Sequence, residues 1–198
     1  MFAKSASKIT TSLVNNGTID NSEFEIYHFG FEMGFAIIAN VLTTLAIGFI
    51  FRMPLESLLF LAVFIPLRSY VGGFHASNHL RCYWLSTLAV VAVLLAIRFV
   101  VSIYSVPMII IVAGMCVVAM SILVPVQDDN RPLDEVEIRV FGRRARTVLC
   151  IEFIALVTTT AAGLITISSI LFCTILLSGF AVFAGAIKNR IIRIEALN

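Results

Sequence analysis

The chain has 198 residues, of which 60% are hydrophobic and 13% charged, and its mean hydropathy is +1.01. A soluble domain carries about 25% charged residues, so this composition excludes a water-soluble globular protein and points to one compact bundle solvated by lipid. The formal net charge of +2 decides little, because orientation in a membrane follows the placement of the charges and not their sum.

The first residues, MFAKSASKITTSLVNNG, lack the apolar stretch of a cleavable signal peptide. Phe2, Ala6, Ile9 and Leu13 recur at helical spacing beside Lys4 and Lys8. That pattern predicts an amphipathic helix over 2–14 lying in the membrane interface, ended by Asn15-Asn16-Gly17.

Six apolar segments follow, at about 29–51, 54–67, 83–101, 105–126, 147–167 and 169–187. Spanning a bilayer takes about 20 residues at about 1.5 Å each. The second segment is short, so it either continues past Arg68 toward Gly72-Gly73 or is partly re-entrant. A tight turn at Ser168-Ser169 is expected to make the last two an antiparallel hairpin. The predicted fold is an all-α polytopic membrane protein in one domain, with about six transmembrane helices plus the interfacial N-terminal helix.

Charge placement predicts the orientation. If all six segments cross, one side holds Lys4, Lys8, Arg68, Arg81, Arg131, Arg139, Arg143, Arg144, Arg146, Lys188, Arg190 and Arg193, and the other only Arg52 and Arg98. Twelve of the fourteen basic residues thus share one side, which the positive-inside rule makes cytoplasmic. Both termini, the 127–146 loop and the stretch after Arg68 are expected there, in a cell membrane. Within QDDNRPLDEVEIRVFGRRAR, a short helix is expected to open at Pro132-Leu133, with Asp134 and Glu135 in its first turn and arginines at its end. Acidic residues within spans are costly. Glu32 and Glu152 are expected near the cytoplasmic ends of their segments, either reaching the interface or orienting another side chain.

Of the four cysteines, Cys116, Cys150 and Cys173 lie in apolar runs and read as small buried hydrophobes, whereas Cys82 sits among polar residues. Its surroundings, RSYVGGFHASNHLRCYW, concentrate the reactive side chains of the chain. A cysteine becomes a nucleophile when a base or a nearby positive charge favours its thiolate, and histidine can take the thiol proton and return it to a leaving amine. In an unbroken helix His79 is one turn from Cys82, while His75 lies two turns away, about 10 Å, too far for direct proton transfer. A turn at Gly72-Gly73, which glycine tolerates best, would instead let His75 fold back. His75, His79 and Cys82 also read as His-x3-His-x2-Cys, a ligand set suited to zinc. Alternatively these polar residues merely line a membrane interface. The residues alone leave the three readings open.

RSYVGGFHASNHLRC resembles the signature of the accessory gene regulator protein B (AgrB) family through Arg68, Gly72, Gly73, His75, Ala76 and Cys82. PVQDDNRPL, from Pro125 to Leu133, resembles the second cytoplasmic segment of that family. The resemblance implies a membrane cysteine endopeptidase that processes the precursor of a cyclic autoinducing peptide, releasing its C-terminal part through an acyl-enzyme thioester and promoting closure to a thiolactone or lactone. It implies His75 as base and Cys82 as nucleophile, with a chain break after Gly73. Arg68 would stabilise charge or hold the loop; Asn78, His79, Glu32 and Glu152 are possible orienters. Where some members carry lysines, this chain has Asn130-Arg131, the candidate substrate-binding positions. The expected partners are a precursor with an amphipathic N-terminus and an acidic tail suited to a basic face, membrane lipid, and a second copy of the chain, for which Gly30-x-x-x-Gly34 offers a close-packing surface. No metal, cofactor or nucleic acid is expected. The competing classes are a metal-binding membrane protein and a non-enzymatic transporter or scaffold.

Overall fold

The structure, a computed structural model, describes residues 2–74, 79–127 and 134–195. Among these are seven α-helices: α1 (Ala3–Asn15), α2 (Phe24–Ile50), α3 (Pro54–Val71), α4 (His79–Ser102), α5 (Val106–Leu123), α6 (Glu135–Ala161) and α7 (Ile165–Glu195). Five of them, α2 to α5 and α7, are long and apolar enough to cross a membrane. The protein is an all-α polytopic membrane protein.

Helix α7 is the axis of the bundle, packed on α3, α4, α5 and α6. Every residue from Ser168 to Ile175 is buried, as an all-round apolar helix requires. Helix α2 is peripheral and packs on α3 and α4, leaving Ile37, Ile38, Leu42 and Phe49 exposed. Helix α1 rests on α2: Phe2 and Phe35 pair at 6.2 Å and His28 Nε2 lies 3.2 Å from the Ala3 carbonyl. Ala6 and Thr10 are the buried residues of α1, whereas Ile9 is exposed. Thr10 can be buried because its hydroxyl donates to the Ala6 carbonyl at 2.9 Å.

The second apolar segment is a complete helix. It starts at Pro54, where the missing N–H costs nothing, and continues past Arg68 to Val71. The loop helix and the fifth segment are one 27-residue helix, α6. It opens at Glu135, one residue after Asp134; Pro132 and Leu133, where a start was expected, lie outside the described residues. The Asp134 carboxylate accepts the Glu137 N–H at 2.6 Å and the Glu137 carboxylate accepts the Asp134 N–H at 3.3 Å, a reciprocal cap that leaves two backbone donors satisfied. Nothing then stops the helix, so the arginines lie along it. Those charges keep α6 from the apolarity of its neighbours. It still alternates with them: Arg146 Nε donates to the Ser121 carbonyl at 3.0 Å near one end of α5, and Tyr104 at the other end of α5 donates to Thr160 at 3.2 Å.

The turn before the last helix is at Gly163, not Ser168-Ser169. Gly163 has φ +72°; its N–H reaches the Thr160 carbonyl at 3.1 Å and the Leu164 N–H reaches Thr159 at 2.9 Å. This is the glycine stop in which a left-handed residue satisfies the last carbonyls. Ser168 is buried within α7 and shares a 2.8 Å hydrogen bond with the Tyr104 hydroxyl.

Strict alternation puts the starts of α2, α4 and α6 and the ends of α3, α5 and α7 at one end of the bundle. Lys4, Lys8, Arg68, Arg81, Arg139, Arg143, Arg144, Arg146, Lys188 and Arg190 belong to that end. Arg52 and Arg98 lie at the other, where Arg98 Nη2 donates to the Phe51 carbonyl at 3.2 Å.

Candidate functional site

At the basic end the chain breaks where the sequence pairs two glycines. Helix α3 stops at Val71; Gly72 has φ +73° and Gly73 φ +116°, a region that residues with a β-carbon rarely enter. Gly72 forms a parallel bridge to Val126, in which the Gly73 N–H donates to the Val126 carbonyl at 3.3 Å and the Val126 N–H donates to the Val71 carbonyl at 3.1 Å. A β-carbon on Gly72 would collide with that same Val126 carbonyl oxygen. The two segments singled out by sequence, around Gly72-Gly73 and after Pro125, are therefore hydrogen-bonded to each other.

Arg68 ties the turn from within. Its Nη1 donates to the Gly72 carbonyl and its Nη2 to the Phe74 carbonyl, the latter at 2.6 Å. One planar fork thus holds two carbonyls of the turn, which is the geometry that distinguishes arginine from lysine. Of the two roles expected for Arg68, the contacts favour holding the loop.

Helix α7 supplies the floor. The Phe74 N–H donates to the Ala181 carbonyl at 2.8 Å. A β-carbon on Gly185 would lie 2.7 Å from Gly73 C and Phe74 N, and one on Gly73 would lie 2.7 Å from the Ala181 oxygen. One turn on, Lys188 Nζ stands 5.9 Å from the centre of the Phe74 ring, and Asn189 Nδ2 donates to the Gln127 carbonyl at 2.8 Å. Helix α7 so contacts both segments at the basic end. Sequence reasoning missed this face. Its signal was the helical spacing of Ala181, Gly185, Lys188 and Asn189, hidden because Gly and Ala read as ordinary residues of a membrane helix.

Past Phe74, residues 75–78 lie outside the described residues, and with them His75, Ala76 and Asn78. The chain is described again at His79, the first residue of α4, whose side chain also lies outside. Cys82 is the fourth residue of α4, a half-buried free thiol. The next residue anchors this turn: the Tyr83 hydroxyl and Thr43 Oγ1 of α2 share a 2.7 Å hydrogen bond. Trp84 and Leu85 beside it are exposed, as expected at a lipid interface. Four residues, 75–78, separate Phe74 from His79, so the five residue-to-residue steps span at most about 17 Å.

The remaining candidates separate. Glu32 is half-buried on α2, the helix that packs on α4. Glu152 is turned into the bundle. It lies about 25 Å along α6 at the helical rise, is buried at 6% exposure, and its Oε2 has no hydrogen-bond partner among the described residues. It shares the inward face with Leu149 and Leu156, and α6 packs on α3, α5 and α7 while Cys82 is on α4. Glu152 and Cys82 thus stand on helices without extensive packing on each other. Asn130 and Arg131 lie outside the described residues. Among the described residues no group of three His, Cys, Asp or Glu side chains could hold a metal, and the His75 of the zinc reading is outside them.

The family model for accessory gene regulator B matches residues 6–184. No curated protein and no solved structure matches this chain. The match covers most of the sequence, and the chain belongs to the accessory gene regulator B family, which processes quorum-sensing propeptides.

Proposed function

We propose that this member of the family is a membrane cysteine endopeptidase that cleaves a quorum-sensing propeptide and hands its N-terminal part on to cyclisation. The observation that carries the reading is the turn at Gly72-Gly73: clamped by Arg68 and seated on α7, it ends α3 just before His75, the residue that the family motif pairs with Cys82 of α4. An unbroken helix would hold them about 10 Å apart. A break supports His75 as the base without displacing Cys82 from α4.

In this mechanism the Cys82 sulfur attacks a backbone carbonyl of the precursor as His75 takes the thiol proton. The peptide C–N bond breaks, His75 passes that proton to the departing amine, and the C-terminal tail leaves. The rest of the precursor remains on Cys82 as a thioester. A cysteine or serine within the peptide then attacks the thioester, its proton returns to the Cys82 sulfur, and a thiolactone or lactone closes. Exchange of one thioester for another is near balance, so excluding water from the intermediate matters more than driving force. A thiol one turn into a membrane helix, flanked by exposed Trp84 and Leu85, suits that requirement.

The partner is a peptide with an amphipathic N-terminus and an acidic tail, drawn to the basic end of the bundle. That end is assigned to the cytoplasm by the positive-inside rule. A homodimer fits α2, where Gly30 and Gly34 have open space around them. The decisive experiment is capture of the intermediate. Purified protein in lipid vesicles, mixed with its propeptide and quenched in acid, should carry the N-terminal product on Cys82 as a hydroxylamine-labile adduct in the mass spectrum. Cleavage with no such adduct on Cys82 would count against the thiol mechanism.

A further inference from the structure

Helix α6 turns its inward face, through Ala145, Leu149 and Leu156, to the bundle. On the opposite side is a groove of about 540 Å³. Its upper part is lined by Arg139, Arg143 and Arg146, and its lower part by Cys150, Ile151 and Ile154. The three arginines are exposed, and no ion pair neutralises them among the described residues. Arg146 is fixed by its Nε bond to the Ser121 carbonyl, and Arg143 and Arg146 stand on adjacent turns, as do Arg139 and Arg143. Below them Ile151 and Ile154 are 59% and 61% exposed, so this strip faces lipid.

We propose that this face of α6 binds an anionic phospholipid, its phosphate among the three arginines and an acyl chain along Cys150, Ile151 and Ile154. Charge and depth both choose this occupant. Guanidinium forks match phosphate oxygens. From Arg146 to Ile154 the helix rises about 12 Å, which takes the strip from headgroup level well into the hydrocarbon. A soluble acidic peptide would satisfy the arginines and leave the isoleucines unmatched; a zwitterionic lipid would do the reverse. Basic clusters on the cytoplasmic side of membrane helices recognise anionic headgroups in this way. The inference does not depend on the proteolytic reading.

The test uses the full-length protein reconstituted in vesicles of phosphatidylcholine with phosphatidylglycerol at one part in five, then extracted into mild detergent for native mass spectrometry. Phosphatidylglycerol adducts should exceed their share of the vesicle lipid severalfold. The Arg139→Gln/Arg143→Gln variant should lose that enrichment, whereas Arg144→Gln/Arg190→Gln, which removes equal charge from the same end but outside the groove, should keep it. Thermal midpoints in pure phosphatidylcholine, expected to agree among the three proteins, verify that both variants are folded. Equal loss in the two variants would mean diffuse attraction to a basic surface and overturn the site. So would no enrichment in the unaltered protein, an equal effect of inorganic phosphate alone, or displacement of the adducts by an acidic peptide. A shift from dimer to monomer in Arg139→Gln/Arg143→Gln with lipid uptake unchanged would assign the face to a second copy of the chain, and overturn it too.

Discussion

Gly73 and Gly185 meet backbone to backbone: a β-carbon on Gly185 would stand 2.9 Å from Gly73 Cα. The turn that precedes the motif histidine therefore rests directly on α7, where the Phe74 N–H donates to the Ala181 carbonyl at 2.8 Å.

This contact sets helix propensity and packing against each other at position 185. Gly185→Ala should favour the helix by about 0.5–1 kcal/mol, while its methyl group pushes the turn off α7. Propeptide cleavage is expected to fall at least tenfold, with the helix gain offsetting only part of the roughly 1–3 kcal/mol that such overpacking costs. Gly114→Ala, whose nearest neighbour would be at an ordinary 3.4 Å, should leave cleavage unchanged. Full activity in Gly185→Ala would show that the seat of the turn does not matter to the chemistry.

Arg68 holds two carbonyls with one fork. Lysine keeps the charge but cannot reproduce two diverging donors in a plane. Arg68→Lys should therefore cost nearly as much cleavage as Arg68→Ala, at least tenfold in each. If lysine restored wild-type turnover, Arg68 would be acting as a point charge and not as a clamp.

The thiol reading divides the polar residues of the motif. Cys82→Ala should abolish cleavage, and joint replacement of Cys116, Cys150 and Cys173 by alanine should be tolerated. His75→Ala should lose about 10²–10⁴-fold, the range of general acid–base help, and His79→Ala roughly tenfold, as for an orienting role of about 1.4 kcal/mol. EDTA should have no effect. Chelator-sensitive activity with equal losses at both histidines would favour a metal site, and loss at His79 alone would favour the unbroken-helix pairing.

Glu152 lies deep in the bundle on a helix without extensive packing on α4. Glu152→Gln keeps its shape and hydrogen-bonding capacity and should retain cleavage within about twofold. A loss as large as that of His75→Ala would place Glu152 in the catalytic machinery after all.

Orientation is read by labelling. Single cysteines at Arg52, Ile103 and Gly163, on a cysteine-free background, should react with a membrane-impermeant maleimide applied to intact cells. Cysteines at Gln127 and Asp134 should react only after the membrane is opened. External labelling at Gln127 would invert the bundle.

How much of this was legible in the sequence differs from element to element. Apolar runs and the distribution of arginines were enough for a polytopic helical bundle, because lipid forces every spanning segment to satisfy its own backbone. Local chemistry was also readable: Gly72-Gly73 for a break and Pro54 for a start; of the three cysteines expected to be buried, Cys173 is, Cys116 is half-buried and Cys150 is exposed, because an apolar run in a membrane helix has a lipid-facing side. Polarity misled where it stood in for geometry. Ser168-Ser169 looked like a turn, but a serine can return its hydroxyl to its own helix, while Gly163 stops the chain without advertising it. The polar loop and the fifth apolar run looked like two elements, and the cap at Asp134 makes one helix, α6, of most of both.

The sequence by itself determined that the chain lives in a membrane, that one end is basic, and which short stretch holds its reactive groups. Each follows from composition and nearest neighbours along the chain. Only the tertiary structure decided that α7 is the central helix, that Gly185 and Asn189 support the two segments at the basic end, and that Arg68 clamps the turn. Those relations join residues far apart in sequence through backbone carbonyls and missing β-carbons, and neither a carbonyl nor an absent side chain leaves a pattern for periodicity or charge to reveal.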